Sequence, residues 1–180
     1  VSLNTYYIPY LQKYLKSHDE NDYFSQIYRE HFLQSYQALT FIKNVRSVDQ
    51  RVLQSKKVSL TRRPGYTGKR TIIFDLDETL IHCNENTSIP YDVKLPIKFP
   101  QGQIIEAGIN IRPYAVECLK ELSQHYEIIV FTASHGCYAN VVLDYLDPRE
   151  QYIHHRLFRE SCVQTPEGIY VKDLRILANR

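Results

Sequence analysis

Between residues 71 and 148 the apolar positions switch between two periods. Thr71-Ile72-Ile73-Phe74 is a continuous apolar run that ends in acid, the pattern of a parallel strand buried on both faces. Tyr91–Phe99 and Gln103–Ile109 alternate apolar with polar positions, which predicts a hairpin inserted at about residues 83–110. Pro113 opens a helix that turns Val116, Leu119 and Leu122 inward. Glu127–Phe131 is a second buried strand. Tyr138, Val141, Val142, Tyr145 and Leu146 then fall at i, i+3, i+4, i+7 and i+8, a helix that Ser134 can cap and that Asp147-Pro148 ends. Strand, helix, strand, helix predicts an α/β fold with a doubly wound parallel sheet.

The first sixty residues read differently. Tyr7, Tyr10, Leu11, Tyr14 and Leu15 lie at helical spacing, and a second amphipathic stretch runs from about Phe24 to Val45. A short third covers Val48 to Gln54. Residues 1–54 are therefore expected to be a helical N-terminal extension, residues 55–70 a basic linker and residues 71–180 the main domain. The extension is expected to pack on that domain, with a Tyr-rich face that could also meet a protein partner through residues 1–60. Gly68-Lys69 is no phosphate loop. Two residues rather than four separate Gly65 from Gly68, Arg70 follows the lysine, and the strand comes after it.

Composition narrows the classes. A formal charge of +2 gives no reason to expect direct binding of nucleic acid. No apolar run approaches the roughly 18 residues of a membrane span. The cysteines at 83, 118, 137 and 162 form no C-x-x-C pair, so neither a zinc site nor a disulfide framework is expected, and a reducing compartment is. The chain is expected to be intracellular, with nucleus or cytoplasm ahead of mitochondrion. It contains no Met, which suggests a processed or trimmed product.

Candidate chemistry sits at the carboxyl ends of the two buried strands, where open α/β sheets bind ligands. One strand runs into Asp75-Leu76-Asp77-Glu78-Thr79 and the other into Thr132-Ala133-Ser134. Two carboxylates two residues apart suit phosphoryl transfer: Asp75 can attack phosphorus, and Asp77 can protonate the leaving oxygen and later deprotonate water. A nucleophile and a substrate that are both anionic need countercharge, which Mg²⁺ on one or two carboxylates and the phosphate supplies.

Asp75-Leu76-Asp77-Glu78-Thr79 resembles the D-x-D-x-T motif of the haloacid dehalogenase superfamily. Phe74 to Cys83, Arg112-Pro113, Val130 to Ser134, Leu157 to Cys162 and Tyr170 to Leu174 extend the resemblance. Together they look like the Ser/Thr phosphatases of the RNA polymerase II C-terminal domain, the NLI-interacting-factor-like family. The resemblance implies a haloacid-dehalogenase-like fold with a small hairpin cap, and a Mg²⁺-dependent protein phosphatase working through an aspartyl-phosphate. By the same resemblance Asp75 is nucleophile and metal ligand, and Asp77 is acid/base with its carbonyl on the metal. Thr132 and Lys172 hold the phosphoryl group, with Ser134 beside them. Arg159 approaches the substrate peptide, Tyr138 lines its groove, and Thr79 orders the loop. The implied substrate is phosphoserine or phosphothreonine in a flexible peptide. A small-molecule substrate suits the short cap less well. His82, His154 and His155 read as structural or exposed.

The family's last motif, a buried strand ending in Asp-Asn, does not occur before Arg180. In the family's sheet that strand lies beside the one carrying Asp75, so an open sheet edge and a missing metal ligand are expected. A trimmed sequence, a strand supplied by another chain, or burial of the edge in an assembly each account for it. The competing function is accordingly a non-catalytic structural or interaction subunit that keeps the phosphatase-like fold. A related domain acts as a receptor in mitochondrial protein import.

Overall fold

The computed structural model describes residues 23–44, 48–84, 88–166 and 168–180. The chain divides into two compact units at Ser47/Val48. In the first, helix α1 spans Tyr23–Asn44, with Phe32, Tyr36 and Leu39 half-buried at i, i+4 and i+7. The helix expected around Tyr7–Leu15 lies outside the described residues.

The second unit opens with helix α2, Gln50–Ser55. Asp49 caps it, its carboxylate accepting from the Arg51 N–H at 2.7 Å. Three parallel strands follow, β1 (Thr71–Phe74), β5 (Glu127–Phe131) and β6 (His155–Leu157), ordered β1-β5-β6. Between β1 and β5 come β2 (Ile81–Asn84), β3 (Val93–Lys98), β4 (Ile104–Ile111) and helix α3 (Ala115–Ser123). Helix α4 (Gly136–Leu146) joins β5 to β6. All five residues of β5 are buried, because each face of the sheet is covered. Ile128 and Val130 pack with Leu119, Val142, Leu143 and Leu146. Ile129 and Phe131 pack with Leu53, Leu157, Ile176 and Leu177. Among the described residues β1 pairs with β5 alone, so its other edge is open.

The second of these layers draws on residues that the sequence presents as a basic stretch. Val58 and Leu60 pack with the Leu53 cluster. The Val58 N–H donates to the Ile176 carbonyl at 2.9 Å, and the Ala178 N–H donates back to Val58 at 3.0 Å.

β3 and β4 form the expected hairpin, and β2 adds a third antiparallel strand on the other side of β4. Gly108 is required there for space. A Cβ at that position would lie 2.9 Å from the Tyr91 ring. A two-stranded ribbon, β7 (Val163–Gln164) and β8 (Tyr170–Val171), completes the unit before a short 3-10 turn at Leu174–Ile176.

Candidate active site

Parallel pairing of Phe74 with Val130 brings the carboxyl ends of β1 and β5 side by side. Asp75 and Thr132 therefore leave the sheet at the same rim. After Asp75 the chain turns tightly. Leu76 and Leu80 anchor the turn in the core, the Leu80 N–H donates to the Leu76 carbonyl at 2.8 Å, and Glu78 adopts a left-handed φ of 58°. Arg112, just after β4, clasps this turn. Its Nε donates to the Thr79 carbonyl and its Nη2 to the Glu78 carbonyl at 2.9 Å. Thr79 thus takes part through its backbone.

The Asp75 carboxylate stays half-open. Its Oδ1 accepts from the Leu76 N–H at 2.8 Å, and its Oδ2 forms an ion pair with Lys172, the residue after β8. Asp77 is enclosed by hydroxyls. Its Oδ2 accepts from Ser134 Oγ at 2.7 Å and from Thr132 Oγ1 at 3.3 Å, and its Oδ1 accepts from the Tyr138 hydroxyl at 2.9 Å. Thr132 is buried, and its Oγ1 also accepts from the Ser134 N–H at 3.0 Å. Burial, reinforced by the Asp77 carboxylate, pushes the Tyr138 phenol far above its ordinary value, so it remains a protonated donor.

Ser134 therefore points at Asp77 and does not cap α4. The residue preceding that helix is His135, which makes no side-chain cap bond. At the rim, Arg159 is tied to the segment after β5. Its Nε donates to the Ala133 carbonyl at 2.7 Å, its Nη1 lies 2.9 Å from His135 Nε2, and its guanidinium sits 4.9 Å from the centre of the Tyr170 ring. Cys162 is buried beneath. Burial pushes its thiol up even though Lys172, Lys56 and Arg159 pull the other way, so it stays an unreactive thiol.

The structure gathers Asp75, Asp77, Thr132, Ser134, Tyr138 and Lys172 at one rim, with Arg159 at its edge. Sequence reasoning gave Arg112 no role, although Arg-Pro directly before a helix marks a fixed entry point. His154 also had an unread partner, since its Nδ1 accepts from the buried Ile128 N–H at 3.0 Å.

The donor set fits magnesium better than a preformed metal cage. Among the described residues no three His, Cys, Asp or Glu side chains converge on one point. Magnesium commonly takes one or two carboxylates and completes its shell with water and phosphate. The half-open Asp75 carboxylate suits that mode. The Asp77 carboxylate is engaged by hydroxyls, and the family resemblance implies its backbone carbonyl as the second donor.

Relatives are found among known proteins. The chain is 38% identical over 142 residues to CTD small phosphatase-like protein 3 of Caenorhabditis elegans, covering 79% of this chain and 48% of that protein. It is 41% identical over 111 residues to a probable C-terminal domain small phosphatase of Dictyostelium discoideum, covering 62% of this chain and 35% of that protein. It thus spans about half the length, or less, of these relatives. Fission yeast Fcp1, an RNA polymerase II CTD phosphatase, superposes with a TM-score of 0.43 at 24% identity, over 62% of this chain and 32% of that one. No described helix is long and apolar enough to cross a membrane. The profile of the NLI interacting factor-like phosphatases matches residues 70–180, well over half of the chain, and the protein belongs to that family.

Proposed function

We propose that this domain removes phosphate from phosphoserine or phosphothreonine in a flexible peptide, through an aspartyl-phosphate on Asp75. The observation that carries the reading is the pairing of a half-open Asp75 with Lys172 beside an Asp77 enclosed by three hydroxyls. Lys172 turns its charge from the Asp75 carboxylate to the incoming phosphoryl oxygens. An Asp75 oxygen forms the bond to phosphorus while the seryl oxygen leaves. Asp77 hands that oxygen its proton, which prevents release of a strongly basic alkoxide. In the second step Asp77 takes a proton from water as the water oxygen bonds to phosphorus. The Asp75–phosphorus bond then breaks, returning the carboxylate and free phosphate. The Asp75 carboxylate and the Asp77 carbonyl would hold magnesium, which would supply the countercharge that two anions need in order to meet.

The open rim, bordered by Arg159 and Tyr170, suits a peptide better than an enclosed small molecule. The test is phosphate release from a phosphoserine peptide with magnesium present. Asp75→Asn should lower the rate by at least about a thousandfold, the scale expected when the nucleophile itself is lost. A variant that keeps a tenth or more of the parent rate would end this reading.

A further inference from the structure

We infer that Tyr138 is a positioning residue for Asp77, its hydroxyl holding the carboxyl group in place through a hydrogen bond to Oδ1. The proposal rests on the phosphatase reading above and deepens it.

Tyr138 sits in the first turns of α4, and its ring packs against the core cluster. Its position in the helical apolar pattern makes it a core residue or a groove wall. The hydroxyl does something neither role requires. It donates to Asp77 Oδ1 at 2.9 Å. A phenol has one proton to give, and here Asp77 receives it.

The Asp77 carboxyl group is held at both oxygens. At Oδ2 the neighbours are hydroxyls rather than N–H groups, Ser134 at 2.7 Å and Thr132 at 3.3 Å. A hydroxyl can rotate and accept, whereas a backbone N–H cannot. All three of these partners are hydroxyls, and Tyr138 is the one on Oδ1. Thr132 and Ser134 follow β5 where it leaves the sheet beside the end of β1 that carries Asp75. Catalytic geometry of this kind tolerates errors of only a fraction of an ångström.

Tyr138→Phe removes one oxygen and leaves the ring in place, so the groove wall and the core packing persist. Two substrates separate the roles. A phosphoserine peptide needs its leaving oxygen protonated, whereas p-nitrophenyl phosphate releases a stable phenolate without help. The peptide kcat should fall about 10- to 100-fold, the worth of one hydrogen bond to a charged group, with KM unchanged. The burst of p-nitrophenol, which reports only the first step, should change less than about twofold, and the melting temperature should stay within about 4 °C.

An equal loss on both substrates would make Tyr138 merely structural, and a rise in peptide KM alone would make it a groove residue. An unchanged peptide kcat would also overturn the inference. Asp77→Asn run in parallel keeps the two claims apart: if that variant hydrolyses the peptide normally, the acid/base reading itself fails, whatever Tyr138→Phe does.

Discussion

Asp147 looks in sequence like a helix terminator, and the structure gives it a heavier task. It is 1% exposed and accepts three backbone N–H groups, Gln151 on Oδ1 and Tyr152 and Ile153 on Oδ2, each at 2.8 Å. These bonds shape the loop that carries the chain from α4 into β6. Asp147→Ala leaves them unequal. Gln151 is exposed and its N–H can turn to water, whereas Tyr152 is half-buried and Ile153 is buried. Leaving two such donors unsatisfied costs about 1–3 kcal/mol each, and part of this is recovered because the carboxylate no longer needs desolvating. The net expectation is a loss of about 3 kcal/mol, a large share of the ~5–15 kcal/mol that holds a domain together. Asp147→Asn should cost only about 1 kcal/mol. Its amide can turn the oxygen toward Tyr152 and Ile153 and sacrifice the bond to the exposed Gln151. Urea unfolding followed by circular dichroism reads both variants. At ~2 kcal/mol per molar, typical for a small domain, the Ala midpoint should drop by about 1.5 M. An Ala variant destabilised by less than ~1 kcal/mol would refute the reasoning, and so would an Asn variant as weak as Ala.

Acid should weaken the fold in two stages. Burial holds His154 and His155 below their ordinary value of 6.5, so the unfolded chain takes up these protons first and stability falls as pH drops through about 6.5. Glu127 is fully buried; although desolvation opposes it, bonds from Arg180 and Thr71 and the charge of Arg62 hold its carboxyl below the ordinary 4.5, so its contribution is present above that pH and lost below it. Urea midpoints at pH 8, 5.5 and 4 should decline at each step, and a flat profile from 8 to 5.5 would contradict the histidine assignment. Arg112→Ala should cost less than ~1 kcal/mol of stability, because the side chain is exposed. It should lower kcat by about tenfold through loosening of the Glu78–Thr79 turn, read by phosphate release alongside the urea midpoint.

Much of the fold was legible because burial on both faces leaves a plain trace. The runs at 71–74 and 127–131 carry no alternation, since successive residues of β5 face different apolar layers. β3 alternates because one face of its sheet is wet, whereas β4 is exposed over Ile104–Glu106 and buried over Ala107–Ile109. β2 left no such trace: Ile81-His82-Cys83-Asn84 is short and chemically mixed, and its pairing with β4 depends on residues more than twenty positions away. Val58 and Leu60 were masked by neighbouring lysines and arginines, although they complete the layer around Leu53.

The candidate site divides in the same way. Asp75, Asp77 and Thr132 could be read because strand ends position them. The Lys172–Asp75 pair joins residues 97 apart, and only the motif context pointed to it. Ser134 and Tyr138 each satisfied a local rule, as cap and as apolar helix position, and those rules hid the hydroxyls that both give to Asp77. Local periodicity records which face is buried; it does not record where one polar atom on that face points.

The central claim is that Asp75 bonds to phosphorus. The direct measurement is acid quenching of the protein a few milliseconds after mixing with p-nitrophenyl phosphate and magnesium, followed by peptide mass analysis. The account predicts one added phosphoryl group on the peptide carrying Asp75, absent in Asp75→Asn and removed on longer incubation. Phosphate released with no such adduct at any time, or an adduct on another residue, would contradict it.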